Sequence, residues 1–195
     1  MKESRENWEP DFGTIYTWFA MDKNGKIAVM VNNCWGWLPN SLLSIDNFEN
    51  LLDELNEYKW EESETYVNYP MNKEGQTILD LYSALVHRDS NSRKDVENWV
   101  GEHQHQIKEL SEINMPSRKG FFIYHGIEGD NPGQDYPVGY EGETKMGDYF
   151  RYLVPTVYAS IDDFPEELRR GIVVSDTVDF TVDRLLDMCI SRHSI

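Results

Sequence analysis

The sequence predicts a single α+β domain: a mixed or antiparallel sheet with an N-terminal β-hairpin and several packed helices. Three observations predict it. Residues 14–38 are rich in aromatic and β-branched residues on either side of a turn. Segments over 47–58, 77–87 and 93–113 place apolar residues at helical spacing. Further strand signals follow at 120–125 and 148–154, and no internal repeat, heptad register or linker divides residues 1–195.

Residues 1–13 read as a lead-in, with Trp8 and Phe12 able to pin it to the body. Strands over 15–21 and 26–31 flank the turn Asp22-Lys23-Asn24-Gly25. Asp opens such a turn, and Gly at its end supplies positive φ. The apolar positions exceed simple alternation, so the hairpin is expected to meet protein on both faces. Asp46 and Glu49 have capping-box spacing ahead of a helix over 47–58, whose stripe is Phe48, Leu51, Leu52 and Leu55. Residues 77–87 read as a second helix through Ile78, Leu81, Tyr82 and Leu85. A longer one over 93–113 is weakened at Gly101 and ends at Met115-Pro116.

A strand is expected at 120–125. The stretch 126–147, with six glycines and two prolines, reads as a long Gly- and acid-rich loop of the kind that is functional or disordered. Strands over 148–154 and 156–161 follow, separated by Pro155. A short helix then begins at Asp162-Asp163-Phe164-Pro165-Glu166-Glu167, a strand covers 172–174, and Phe180 to Met188 suggests a C-terminal helix.

Composition narrows the class. Apolar residues at 39% and aromatics at 13% mark a folded chain. No run reaches the roughly 18 apolar residues of a membrane span. The polar N-terminus lacks a secretory h-region, so a cytoplasmic location is expected, with Cys34 and Cys189 as reduced thiols. Thirty-five acids against eighteen bases leave a net charge of −17, spread over both halves of the chain. Such a surface repels nucleic acid and anionic lipid and attracts basic partners, although solubility alone also accounts for acidity.

The acids concentrate in two stretches. Asp46, Glu49, Asp53, Glu54, Glu57, Glu61, Glu62 and Glu64 are interrupted by one base, Lys59. Acids late in a helix oppose its dipole at some tenths of a kcal/mol each, which suggests a use other than stability. The loop adds Glu128, Asp130, Asp135, Glu141 and Glu143, interleaved with Tyr136 and Tyr140. Carboxylates beside aromatics are the side chains that grip Lys and Arg. An ordinary solvated helix face and simple loop packing are the competing readings.

No catalytic motif stands out. The chain has no G-x-S-x-G, no P-loop and no strand-linked G-x-G-x-x-G. His103 and His105 on a helix splay by roughly 200°, a poor metal pair. Residues 130–135 match a calcium loop poorly. No cofactor and no metal is expected, and the protein is not expected to be an enzyme. The alternative is a hydrolase of unrecognised class using clustered carboxylates near Trp35 and Trp37. A structural or adaptor protein is a third reading.

Trp18-Phe19-Ala20-Met21-Asp22, two further residues, Gly25 and Ile27-Ala28-Val29 resemble the opening hairpin of bacterial immunity proteins from contact-dependent growth inhibition and other polymorphic-toxin systems. Residues 152–158 with Pro155, then Asp162-Asp163-Phe164-Pro165-Glu166-Glu167 and a late Phe180, are similar to the strand, helix and final Phe of such sequences. The resemblance implies a cytoplasmic inhibitor that forms a heterodimer with the C-terminal domain of a cognate toxin. Many such toxins are basic nucleases, and an RNase is favoured over a DNase. Carboxylates would stand in for phosphates in the toxin's cleft, without direct contact to nucleic acid or membrane. The residues expected to bind the toxin are Asp53, Glu54, Glu57, Glu61, Glu62, Glu64, Glu128, Asp130, Asp135, Tyr136 and Tyr140.

Overall fold

The computed structural model describes residues 7–106, 108–129 and 135–188. A seven-stranded mixed sheet runs in the order β3 (Thr77–Leu79), β7 (Tyr149–Pro155), β5 (Phe122–Gly126), β2 (Ile27–Val31), β1 (Thr17–Met21) and β8 (Ile172–Val174), and β9 (Leu185–Leu186) also pairs with β7. The fold is α+β, in one domain, and opens with the expected hairpin of β1 (Thr17–Met21) and β2 (Ile27–Val31). The turn works as its residues suggest. Asp22 Oδ1 accepts from the backbone N–H of Asn24 and Lys26 at 2.9 and 2.8 Å, and Gly25 takes φ 81°. Oδ2 of Asp22 accepts the N–H of Phe180 at 3.0 Å, tying the hairpin to the far end of the chain.

The hairpin is central because both strands find parallel partners, β5 (Phe122–Gly126) beside β2 and β8 (Ile172–Val174) beside β1. Residues opposite one another share a face, so Trp18, Ala20, Ala28, Met30, Phe122 and Tyr124 line one side. Phe180 packs there against Phe122 and Tyr124, and Trp18 Nε1 donates to the Tyr149 hydroxyl at 3.0 Å. Phe19 faces the other side, towards Phe121 and Phe164. Both faces are therefore covered by protein.

Helix α1 (Asn40–Leu43) is one turn, and α2 (Phe48–Lys59) buries the expected stripe of Phe48, Leu51, Leu52 and Leu55. The capping box does not form. Asn47 is the N-cap, in the left-handed region at φ 59°, and the Glu49 carboxylate accepts from the Tyr16 hydroxyl at 2.9 Å. Gly171 allows α5 (Glu166–Arg169) to sit against α2, since a Cβ there would lie 2.7 Å from Leu55 Cδ1.

Several expected helices are something else. Residues 77–87 form β3 (Thr77–Leu79), β4 (Tyr82–Ser83) and a turn. Thr77 and Leu79 are buried while Ile78 is exposed, a period of two that pairs with the edge of β7 (Tyr149–Pro155). The apolar count fitted a helix, but an open strand edge offered backbone partners. The 93–113 helix stops early: α3 (Arg93–His103) carries Gly101 in its last turn, and α4 (Met115–Lys119) starts where termination was expected, with Pro116 in its first turn. Strand β7 runs unbroken to Pro155. Residues 156–160 are turn and irregular chain, ahead of a 3₁₀ turn at Ile161–Asp163. Over residues 180–187, where a helix is expected, the chain instead turns and lays β9 (Leu185–Leu186) on β7. Arg184 and Arg151 both bond Asp80 there, at 2.6 and 2.7 Å.

Trp8 packs edge-on against Tyr16 and Trp37, while Phe12 is exposed. Cys34 is a buried free thiol; Cys189 lies outside the described residues.

Candidate partner-binding surface

Helix α2 presents Asp53, Glu54 and Glu57 to solvent, followed by exposed Glu61, Glu62 and Glu64. The one base of the stretch does not neutralise them. Lys59 is 5% exposed, with its ammonium 5.8 Å from the Phe19 ring centre and 4.5 Å from that of Trp60. Burial pulls its pKa down to about 8, partly opposed by Glu112. Among the described residues, Asp53, Glu54, Glu57, Glu62 and Glu64 join no ion pair, so the helix offers a row of unmatched carboxylates. Glu61 differs: its Oε1 lies 2.5 Å from Lys119 Nζ.

The chain leaves α2 through a tight cap. The N–H of Glu61 donates to Tyr58 O and that of Glu62 to Glu57 O, with Glu61 left-handed at φ 60° where glycine is usual. This reversal throws residues 65–70 back across α2 and opens a groove of about 470 Å³ between them and residues 162–165. Tyr58, Tyr66, Val67, Tyr69 and Pro70 supply its apolar surface. The Tyr58 ring lies 5.3 Å from that of Tyr69, and its hydroxyl donates to Asp163 O at 2.8 Å. Burial, helped by Asp163, Tyr69 and Glu61, pushes the Tyr58 pKa up to about 12, so it stays a neutral donor. Val67 and Met71 are 62% and 89% exposed. Exposed Asp162 lines the groove, while exposed Glu61, Glu62 and Glu64 precede its first wall in the chain and exposed Glu166 and Glu167 follow its second. An apolar aromatic centre inside a charged rim is the anatomy of a protein interface.

The run of acids is legible in the sequence; the groove is signalled there only by three tyrosines, Tyr58, Tyr66 and Tyr69, bracketing that run.

The 126–147 loop holds the other expected residues differently. Asp130 lies outside the described residues. Asp135 is 4% exposed and accepts from the Ser83 hydroxyl, so its carboxylate serves the fold. That bond belongs to a small second sheet in which β6 (Pro137–Val138) pairs with β4. Tyr140 is half-buried against the core, and Glu128 is half-buried with its pKa raised by burial and by Asp135. Tyr136 is exposed. The two acidic stretches thus have different neighbours: α2 packs on β1 and α5, the loop on β4.

A separate cavity of about 250 Å³ is lined by Ser83, Val86, His87, Trp99, Glu112, Ile113, His125 and Tyr152. His125 Nε2 pairs with Glu112 Oε1. Burial lowers the His125 pKa, but Glu112, Asp135 and Glu128 outweigh it and hold the imidazole above its ordinary value. Burial raises the Glu112 carboxyl, but His125 and Lys59 bring it below the usual range. His87 is lowered by burial and by His125. Its Nε2 is 3.4 Å from the Tyr152 hydroxyl. His103 stacks on Trp99 at 4.4 Å, and among the described residues no group of His, Cys, Asp and Glu could hold a metal ion. Nor is any described helix long and apolar enough to cross a membrane.

No protein-family model, curated protein or solved structure matches the chain.

Proposed function

We propose that this chain is an immunity protein of a polymorphic-toxin system, acting in the cytoplasm to bind and neutralise the C-terminal domain of a cognate toxin. The toxin is a basic nuclease, an RNase rather than a DNase, and the two form a heterodimer. One observation carries the reading: the unmatched carboxylates of α2 and of the segment after it flank in sequence a groove lined by buried Tyr58, half-buried Tyr66 and Tyr69, and exposed Val67. Aromatic anchors in such a groove supply affinity, while the rim sets the approach of a positive partner and its salt dependence. The net charge of −17 and the resemblance of the hairpin support the same partner class.

Co-expression with the toxin domain encoded beside the gene tests it. Cells carrying both survive, and cells carrying the toxin alone die; equal death in both rejects the proposal. In the purified pair, Tyr66→Ala costs about 2 kcal/mol of binding, as an interface anchor does, while Asp53→Ala, Glu54→Ala and Glu57→Ala each cost less than about 1 kcal/mol.

A hydrolase remains the second reading, favoured by the acid and base groups that meet at His125. Its site would lie at that cavity rather than near Trp37, which packs against Trp8. Loss of a measured hydrolytic activity in Glu112→Gln would support it.

A further inference from the structure

We infer that the cavity walled by His87, Trp99, Glu112 and Tyr152 is a receptor for one arginine side chain of the partner, a second anchor apart from the tyrosine groove. This rests on reading the chain as a binding protein.

Size limits the occupant first. About 250 Å³ falls below the roughly 300–1,000 Å³ of pockets that enclose drug-sized ligands, but it accepts a single long side chain. The walls then favour a flat cation. Three aromatic lining residues lie side by side, with the His87 ring centre 5.6 Å from that of Trp99 and 6.3 Å from that of Tyr152. Trp99 is 39% exposed, with its indole at the mouth of the cavity beside His103. Apolar Val86 and Ile113 suit the aliphatic stem of an arginine.

Charge points the same way. Glu112 uses Oε1 for His125, and among the described residues Oε2 accepts no hydrogen bond. Glu112 is the carboxylate among the lining residues, and its side chain is 38% exposed, so Oε2 is open to a positive donor entering the cavity. Guanidinium fits better than ammonium, because it stacks on an aromatic face while donating in plane to a carboxylate. A neutral ring would leave Glu112 Oε2 without a charged donor.

The test titrates the full-length ¹⁵N-labelled chain with N-acetyl-arginine methylamide, using the citrulline analogue as the uncharged control of matching shape. Saturable shifts at the Trp99 indole and the His125 ring, at least tenfold weaker for citrulline, are expected. Glu112→Gln and Trp99→Leu should each weaken arginine binding by about tenfold, while Tyr66→Ala, in the other groove, leaves it unchanged. Trp99 is exposed, so its variant keeps the test decisive if Glu112→Gln unfolds. Equal binding of citrulline, linear non-saturating shifts, or unaltered binding by Trp99→Leu would overturn the inference. The probe is free of any toxin, so this result is independent of the survival assay: arginine binding can fail while protection holds, and the reverse.

Discussion

Glu61 Oε1 lies 2.5 Å from Lys119 Nζ, and the residue that makes this contact is left-handed at φ 60°. Lys119 is almost wholly buried, so the carboxylate is its charge partner. A position that favours glycine is thus occupied by an acid that another element requires.

Two replacements separate the backbone term from the charge term. Glu61→Ala keeps the left-handed strain and removes the partner of Lys119, and should destabilise by about 1–3 kcal/mol. Glu61→Gly relieves strain of about 1 kcal/mol while losing the same partner, and should unfold at higher urea concentration than Glu61→Ala. Equilibrium unfolding in urea checks both: a reversed order would rule out the backbone strain, and Glu61→Ala as stable as the parent chain would rule out the contribution of the ion pair.

Lys59 lowers stability at neutral pH. Its folded pKa is about 8 against an ordinary 10.5. Below pH 8 both states carry the proton and the full cost is present. Between about 8 and 10.5 the unfolded state binds the proton and the folded state does not, so stability rises with pH over that window. Lys59→Met should stabilise at pH 7 by up to about 3 kcal/mol and abolish that rise. Chemical denaturation at pH 7 and pH 10 checks both.

In the His125–Glu112 pair the histidine acts with the opposite slope and the carboxylate with the same one. A histidine held above its ordinary 6.5 contributes stability that is complete below that value and is lost as pH rises through its folded pKa. Glu112, held below 4.5, contributes stability above that value which is lost as pH falls through its own folded pKa. Glu112→Gln leaves burial as the dominant influence, so the His125 pKa should fall below the ordinary value. An NMR titration of the ring carbon protons measures it directly.

Asp80 receives Arg151 and Arg184 on one carboxylate, joining β3, β7 and the segment before β9. Asp80→Asn leaves a nearly buried Arg151 without its counter-charge and should cost about 3 kcal/mol. Release of the chain end should follow, seen as faster amide exchange at Phe180, whose carbonyl Arg151 also holds at 2.8 Å.

Sequence alone determined the hairpin, its Asp22–Gly25 turn, the α2 stripe and the acidity of the opposite face, because each rests on residues close in the chain. Helical periodicity misled at 77–87 and after Phe180, where a strand edge 70 or more residues distant in one case, and β7 in the other, decided the backbone's partners. Tertiary structure alone turned Lys59 inward, buried Asp135 on Ser83 and set Tyr66 and Tyr69 across from Asp162. Spacing reports which side chains share an element's face; which faces meet is fixed by packing between elements, and the tyrosine groove exists only there.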